Sequence, residues 1–200
     1  RQRQMCIRDS DRYIWEQAAA KLGEWKKAGI NMSISVNISP KDFYYIDIFN
    51  TFAGLIKKYD IEPSNLKIEI TETTIMSDVP NLMGELEELR KAGFTLEMDD
   101  FGSGYSSLNT LKDINVDVLK VDMGFIKETK NVKKSRIILA SVIKMAKELN
   151  LLIITEGVET EEQVDNLTKL GCDVFQGYYF SKAIDVNEFE KRYLYRKKAG

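Results

Sequence analysis

The chain has 200 residues, of which 44% are hydrophobic and 30% charged, a composition typical of a folded globular protein rather than a disordered one. Lys and Arg number 29 against 31 Asp and Glu, and this net charge of −2 points to no surface for a nucleic-acid polymer or a membrane. No apolar run approaches the roughly 20 residues that span a bilayer.

The first ten residues differ from the rest of the chain. Residues 1–10 show no apolar period and no apolar core after their charges, so we expect a disordered or foreign leader and no signal peptide. A regular pattern begins at Asp11, which can cap a helix that continues to Gly29. The expected domain therefore covers residues 11–195, with a short tail at 196–200.

Strand and helix patterns alternate along the remaining chain. Apolar alternation predicts strands at 32–38, 66–70, 94–98, 116–121, 151–155 and 174–175. Helical periods fall at 40–43, 49–59, 79–91, 106–113, 133–149, 161–170 and 186–195. This order predicts an α/β fold with parallel strands, either an open doubly wound sheet or a (β/α) barrel. An eight-stranded barrel needs about 250 residues, so a barrel here would be incomplete.

Nearly every predicted strand ends in polar residues that could take part in chemistry. The ends of parallel strands meet at the ligand-binding edge of such sheets. A buried carboxylate costs several kcal/mol unless it is paired or bound to metal, so packing alone does not explain this pattern. The residues are Asn37, Glu69, Asp99, Asp100, Lys120, Asp122, Glu156 and Gln176.

The chemistry open to these residues is limited, because the chain contains no His. Ser-His-Asp catalysis, His-ligated zinc and His-ligated haem are excluded. Asn37, Glu69 and Asp99 offer oxygen ligands for a hard cation such as Mg²⁺ or Mn²⁺, and Asp100 could bridge to a second ion. Two such ions could clamp a phosphodiester. The simpler alternative is that Asp99 and Asp100 form a turn with Asx caps.

Lys120 and Glu156 are the candidate catalytic residues. The ammonium of Lys120 could hold a phosphate or a metal-bound hydroxide, form a Schiff base as in an aldolase, or make a structural ion pair with Asp122 or Asp100. Glu156 could be the general base that takes a proton from attacking water. Glu159, Glu161 and Glu162 are expected to cap the following helix through its positive N-terminus.

Six strings in chain order resemble the EAL-domain family, bacterial phosphodiesterases that linearise cyclic di-GMP. Each string alone is modest, but the set at successive strand ends is highly specific, and the resemblance runs from about residue 11 to residue 193. The strings are Val36-Asn37-Ile38-Ser39, Glu69-Ile70-Thr71-Glu72, Asp99-Asp100-Phe101-Gly102-Ser103-Gly104-Tyr105-Ser106-Ser107, Leu119-Lys120-Val121-Asp122, Glu156-Gly157-Val158-Glu159-Thr160 and Gln176-Gly177-Tyr178.

The resemblance implies a TIM-like (β/α) barrel of the EAL type, with one antiparallel strand and incomplete at its N-terminus. It implies two Mg²⁺ or Mn²⁺ ions on Asn37, Glu69, Asp99 and Asp100, with Lys120 and Glu156 catalytic. It also implies a supporting or substrate-lining group made of Asp122, Gln176, Glu72 and Glu159. Glu72 would anchor the Asp99–Tyr105 loop, which in the family also serves dimerisation.

The motif that names the family marks one departure. No Glu-x-Leu-x-Arg string precedes the helix at Asp11, and Glu16 belongs to that helix. The resemblance implies a phosphodiesterase that hydrolyses cyclic di-GMP to linear pGpG with metal-activated water. The alternative is a catalytically impaired EAL domain that binds cyclic di-GMP or regulates a partner, because the first-strand ligand is missing.

Partners and location follow from the same resemblance. We expect a homodimer formed through the Asp99–Tyr105 loop region, a sensor or GGDEF domain upstream, and no contact with nucleic-acid polymers or membranes. The two cysteines, Cys6 and Cys172, fit a reducing compartment, and we expect a bacterial cytoplasmic protein.

Overall fold

In a computed structural model of the protein, residues 2–102, 107–122, 124, 132–172 and 174–195 are described. The strands are Ile34–Asn37 (β1), Leu66–Thr71 (β2), Leu96–Asp99 (β3), Val118–Asp122 (β4), Leu152–Glu156 (β5) and Val174–Phe175 (β6). The helices are Gln2–Lys27 (α1), Pro40–Tyr45 (α2), Ile48–Tyr59 (α3), Glu72–Ile75 (α4), Leu82–Lys91 (α5), Ser107–Asp113 (α6), Val132–Glu148 (α7), Glu161–Leu170 (α8) and Val186–Phe189 (α9). A 3-10 turn at Pro63–Asn65 precedes β2, and a π-helical turn at Glu190–Leu194 follows α9.

The six strands form one sheet in the order β1-β2-β3-β4-β5-β6, and all five pairings are parallel. A doubly wound sheet reverses its strand order at a switch point, whereas parallel strands in sequential order with right-handed crossovers curl into a barrel. The sheet is therefore part of a TIM-like barrel, which confirms the barrel alternative. The antiparallel strand implied by the resemblance is not among the pairings of the described residues.

The two faces of the sheet differ because strand side chains alternate. In β2, Leu66, Ile68 and Ile70 are fully buried, whereas Lys67, Glu69 and Thr71 lie on the opposite face and are half-buried. The apolar face packs against the helices and forms the hydrophobic core. The polar face lines the concave side of the sheet, where the chemistry-bearing residues lie.

The first helix begins earlier than the sequence predicts. Helix α1 runs from Gln2, so residues 2–10 are helical and Asp11 lies inside the helix instead of capping it. Neither Gly nor Pro interrupts this segment, and Gln, Arg and Met are good helix formers. The expectation of a disordered leader was wrong for these residues. The division of the chain at residues 10 and 195 remains a prediction.

Helix α7 carries apolar residues on more than one face. Leu139, Ile143 and Ala146 are buried at helical spacing, whereas Ile137 is more than half exposed. The helix has more apolar residues than one face can hold, so the sequence did not define which ones pack inward. No helix in the described part of the chain is long and apolar enough to cross a membrane.

Candidate active site

One ammonium and three carboxylates meet on the concave side of the sheet. Lys120 Nζ lies 2.8 Å from Glu69 Oε1, 2.9 Å from Glu156 Oε1 and 3.3 Å from Asp99 Oδ1. The lysine side chain is only 5% exposed, and the three carboxylates are 13–16% exposed. The structure thus brings together four of the residues that the sequence selected, one from each of β2, β3, β4 and β5.

Sheet register explains this convergence. Asp99 at the end of β3 is level with Thr71, two residues beyond Glu69, and Lys120 is level with Ile154, two residues before Glu156. Glu69, Asp99, Lys120 and Glu156 all lie on the concave face of the sheet, because residues two apart in a strand point to the same face. The lysine pairs with carboxylates on three neighbouring strands. The predicted alternative of an ion pair with Asp122 or Asp100 is not the arrangement seen among the described residues.

Burial and charge perturb the protonation of this cluster. Burial raises the pKa of Glu69 and of Glu156 above their ordinary values, and the hydrogen bonds from Lys120 only partly oppose that effect. Burial disfavours the charged form of Lys120, but hydrogen bonds to Glu69 and Glu156 outweigh it and raise the pKa of the ammonium. With all four groups ionised, three negative charges face one positive charge, so the cluster attracts cations.

Asn37 ends β1 beside this cluster. Its Cα is the register partner of Glu69, and its side chain is exposed. The backbone oxygen of Asn37 accepts a hydrogen bond of 3.0 Å from Trp15 Nε1, which ties the strand end to the buried face of α1. Asn37, the predicted ligand, therefore lies at the C-terminal edge of the sheet. The hydrogen bond from Trp15 holds the end of its strand against α1.

Asp100 and Asp122 flank the cluster at the exposed edge. Asp100 adopts a left-handed backbone with φ of 56°, and its amide donates a 3.0 Å hydrogen bond to Asp99 Oδ1. Burial, followed by the charges of Asp99 and Asp122, raises the pKa of Asp100. Asp122 is level with Glu156 in the register, and its Oδ1 accepts a hydrogen bond from the amide of Gly124. The Asp99 carboxylate thus accepts from the next amide as well as contacting Lys120 in the cluster.

Gln176 follows β6 and Glu159 follows β5, and the amide of Val158 donates to the backbone oxygen of Gln176, which joins the two segments. The backbone of Gln176 bonds to Thr155 and to Val158, and its side chain is exposed. Glu159 is also exposed, but Thr160 caps α8 through Thr160 Oγ1 and forms a capping box with Gln163. The hydroxyl of Thr160 is thus the N-cap, while Glu161 and Glu162 lie in the first turn of α8, where carboxylates favour the positive end of the helix. The role of Glu159 at this helix end remains a prediction.

Glu72 lies at the start of α4, directly after β2, and is 1% exposed. The resemblance to the EAL family implies that it anchors the Asp99–Tyr105 loop. Residues 103–106 of that loop lie outside the described part of the chain, so this role and the proposed dimer contact stay predictions. The described beginning of the loop is fixed by the amide of Phe101, which donates to the backbone oxygen of Lys120 at 3.2 Å.

The side chains of the site suit a hard divalent cation. Glu69, Asp99 and Glu156 offer carboxylate oxygens, and Asn37 offers an amide oxygen. Their three carboxylates already surround a positive charge, that of Lys120. No three carboxylate, Cys or His side chains among the described residues converge in a geometry ready for a metal ion. Cation binding by these residues would therefore require Lys120 to shift its contacts.

A second polar layer was missed by the sequence analysis. Glu97, Lys67 and Ser35 form a hydrogen-bonded group on the same concave face, two residues before Asp99, Glu69 and Asn37 in their strands. The alternation of strand residues could have predicted this group, because residues two apart in a strand share a face. A cavity of about 630 Å³ lies at the opposite end of the strands, where Arg90, Leu111, Asp117 and Met145 line it, so it is not part of this site.

Comparisons with known proteins identify the fold and the family. The EAL domain profile matches residues 2–183. The chain is 33% identical over 177 residues to the bifunctional diguanylate cyclase/cyclic di-GMP phosphodiesterase MucR of Pseudomonas aeruginosa, covering 88% of this chain and 26% of that protein. It is 31% identical over 182 residues to the cyclic di-GMP phosphodiesterase RocR of the same species, covering 90% of this chain and 46% of that protein.

Solved structures agree with these matches. The MucR phosphodiesterase in complex with c-di-GMP is 32% identical, with a TM-score of 0.85, covering 94% of this chain and 76% of that one. BlrP1 of Klebsiella pneumoniae, in a manganese and cyclic di-GMP complex, is 29% identical with a TM-score of 0.78, covering 88% of this chain and 44% of that one. The chain spans about a quarter of the length of several curated relatives, including 23% of the Bacillus subtilis signaling protein YkoW. By profile, sequence and fold, the chain belongs to the EAL domain family.

Proposed function

We propose that this chain is a cyclic di-GMP phosphodiesterase domain, which hydrolyses one phosphodiester of cyclic di-GMP to give linear pGpG. The observation that carries the proposal is the cluster in which Lys120 contacts Glu69, Asp99 and Glu156 at the ligand-binding edge of a parallel barrel sheet. The names of MucR and RocR, which share this fold or sequence, support the same activity.

We assign Asn37, Glu69, Asp99 and Asp100 as ligands of two divalent cations, Mg²⁺ or Mn²⁺. The manganese complex of BlrP1 supports a divalent cation in this family. Bound cations would polarise the phosphodiester and lower the pKa of the attacking water. The net negative charge of the cluster and its oxygen-only donors are what such ions require.

Glu156 acts as the general base in this proposal. It takes a proton from water as the water oxygen bonds to phosphorus and the bond from phosphorus to the ribose 3′ oxygen breaks. The departing 3′ oxygen takes a proton from solvent, which leaves a 5′ phosphate and a 3′ hydroxyl. Burial raises the pKa of Glu156, and a base with a raised pKa accepts protons more readily near neutral pH.

Lys120 orients the site and keeps its positive charge, because its pKa is raised. Its hydrogen bonds hold the carboxylates of Glu69 and Glu156 in place, and its charge would stabilise negative charge on the phosphoryl oxygens. Asp122 and Gln176 line the substrate cleft in this proposal. Glu72, at the start of α4, and Glu159, in the segment after β5, support it. A Schiff base on Lys120 has no support, since a charged ammonium is not nucleophilic.

The assembly and location are part of the same proposal. We propose a homodimer formed through the Asp99–Tyr105 loop region and a covalently linked sensor or GGDEF domain, since relatives carry names such as oxygen sensor protein DosP and bifunctional diguanylate cyclase. We place the protein in the bacterial cytoplasm, where low cysteine use fits a reducing compartment.

A non-catalytic, cyclic di-GMP-binding module is the second candidate function. One observation favours it: the carboxylates surround the ammonium of Lys120, and no metal-ready group of three side chains occurs among the described residues. In that case the chain would bind the nucleotide and regulate a partner without turning it over.

The test is hydrolysis of cyclic di-GMP by the purified chain with Mg²⁺ or Mn²⁺, with pGpG measured by chromatography. Glu156→Gln should reduce turnover about 100-fold or more, the usual contribution of a general base, and leave nucleotide binding in calorimetry within about twofold. Glu148→Gln on the exposed face of α7 is the matched control and should change neither.

Each outcome selects one candidate. Metal-dependent turnover that is lost in Glu156→Gln supports the phosphodiesterase. Nucleotide binding without turnover in the unaltered chain supports the binding module. Turnover that survives Glu156→Gln removes Glu156 from the role of base, and absence of both binding and turnover overturns the proposed function.

A further inference from the structure

An ion pair between a buried carboxylate and a half-buried lysine lies directly beneath the carboxylate cluster. Glu97 Oε1 accepts a 3.0 Å hydrogen bond from Lys67 Nζ, and its Oε2 accepts a 2.8 Å hydrogen bond from Ser35 Oγ. The Glu97 side chain is 1% exposed and that of Lys67 is 22% exposed. Both oxygens of a nearly inaccessible carboxylate are therefore satisfied by one cation and one hydroxyl from neighbouring strands.

This pair is joined to the site through the two strands that carry it. Lys67 and Glu69 are two residues apart in β2, and Glu97 and Asp99 are two residues apart in β3, so all four face the concave side. Two strand residues span about 7 Å. Glu97 is also the register partner of Glu69, on the neighbouring strand about 5 Å away.

Solvent screens charge at this position only in part, because Glu97 is buried and the Lys67 side chain is 22% exposed. Glu97 alone would add a fourth negative charge to Glu69, Asp99 and Glu156, and Lys67 alone would oppose a bound cation. When both residues are present, their charges compensate each other, so the pair adds no net charge beside the cluster. Packing does not require an ion pair at this position, because an apolar pair of the same size is as stable as a buried ion pair in many proteins.

We propose that Lys67 and Glu97 are positioning residues whose balanced charges set the affinity of the carboxylate cluster for divalent cations. The inference rests on the proposed cation site and deepens it. The fixed charge of the pair acts through Glu69 and Asp99, and neither Lys67 nor Glu97 is a ligand or touches substrate.

The test measures Mn²⁺ binding by calorimetry on the purified chain, with no nucleotide and no turnover. Glu97→Gln keeps the shape and the acceptor for Ser35 but leaves Lys67 uncompensated, and it should weaken Mn²⁺ binding about fivefold or more. The double variant Lys67→Met with Glu97→Gln removes both charges and should return the affinity to within about twofold of the unaltered chain. Glu148→Gln, from the exposed Lys144–Glu148 pair on α7, is the matched control and should have no effect.

We expect the Mn²⁺ affinity to return in the double variant, because neither charge of the pair then acts on the cluster. Removal of both partners can also restore the stability of a structural pair, so affinities are compared only among variants that are fully folded at the assay temperature. Thermal unfolding of each variant checks that the fold is retained. Equal Mn²⁺ affinity in all variants, or weaker binding in the double variant than in Glu97→Gln, overturns this inference and leaves the proposed function standing. If the unaltered chain binds no Mn²⁺ with or without cyclic di-GMP, the cation site and this inference fail together.

Discussion

Lys120 and Glu156 face each other across β4 and β5, with Nζ and Oε1 2.9 Å apart. Glu156 lies two residues beyond Ile154, the register partner of Lys120, so the lysine side chain leans toward the C-terminal edge of the sheet. The same ammonium also contacts Glu69 and Asp99. One buried cation therefore holds together the ends of four strands.

Removal of this cation should expose the repulsion among the carboxylates. Lys120→Met leaves Glu69, Asp99 and Glu156 without their shared partner, and we expect the free energy of unfolding to fall by about 3 kcal/mol in the presence of a chelator. Added Mn²⁺ should recover part of this loss, because a divalent ion can replace the ammonium. Urea unfolding with and without Mn²⁺ measures both effects. Lys144→Met on the exposed face of α7 is the control, and an equally stable Lys120→Met protein would contradict the prediction.

The raised pKa of Glu156 predicts a dependence of stability on pH. A carboxyl whose pKa is higher in the folded than in the unfolded state binds its proton more tightly when folded, so it stabilises the fold at low pH. That contribution is lost as pH rises from the ordinary value of 4.5 through the folded-state pKa. Each unit of pKa difference is worth about 1.4 kcal/mol.

Glu156→Gln should therefore gain stability relative to the unaltered chain as pH rises from about 4 to about 7.5. Urea unfolding at these two values measures the gain, and Glu148→Gln supplies the control, because Glu148 is exposed on α7, away from the cluster. A stability difference between Glu156→Gln and the unaltered chain that stays constant over this range would show that Glu156 titrates alike in the folded and unfolded states.

The hydrogen bond from Trp15 Nε1 to the backbone oxygen of Asn37 links the core to the site. Trp15 is 1% exposed, so Trp15→Phe removes a buried donor as well as some packing. We expect a loss of about 2 kcal/mol in the free energy of unfolding. Tyr13→Phe, on the exposed side of the same helix, should change stability by less than about 0.5 kcal/mol. Equal losses in the two variants would contradict the assigned role of Trp15.

Local patterns in the sequence predicted much of this fold. Helix α8 and strand β6 begin and end where the periodicity placed them, because apolar spacing and caps are local signals. The polar strand ends also predicted the convergence of Glu69, Asp99, Lys120 and Glu156, because parallel strands bring their C-terminal ends to one edge.

Non-local features were the ones the sequence could not define. The partners of Lys120 depend on the stagger between strands that are dozens of residues apart. The sequence therefore left a pairing with Asp122 or Asp100 open as an alternative, whereas the structure pairs Lys120 with Glu69, Asp99 and Glu156. Glu97 and Lys67 are each ordinary in a strand, and only the register that sets them side by side shows that they pair. The start of α1 was missed because a helix-forming segment without an apolar stripe resembles a leader.

A close backbone approach at Gly177 gives a prediction about the loop beside Gln176. A Cβ atom at Gly177 would overlap the backbone of Val158, whose amide donates to Gln176 at 3.1 Å and whose oxygen accepts from Tyr179 at 3.0 Å. Gly177→Ala must therefore displace the turn after β6 or the segment after Glu156, and we expect a loss of at least about 2 kcal/mol in the free energy of unfolding. Gly54→Ala in α3 is the matched control, because a Cβ there meets nothing within 4 Å and should add about 0.5–1 kcal/mol of stability. Urea unfolding of both variants measures these opposite effects, and a Gly177→Ala protein as stable as Gly54→Ala would show that the loop yields freely and does not fix Gln176.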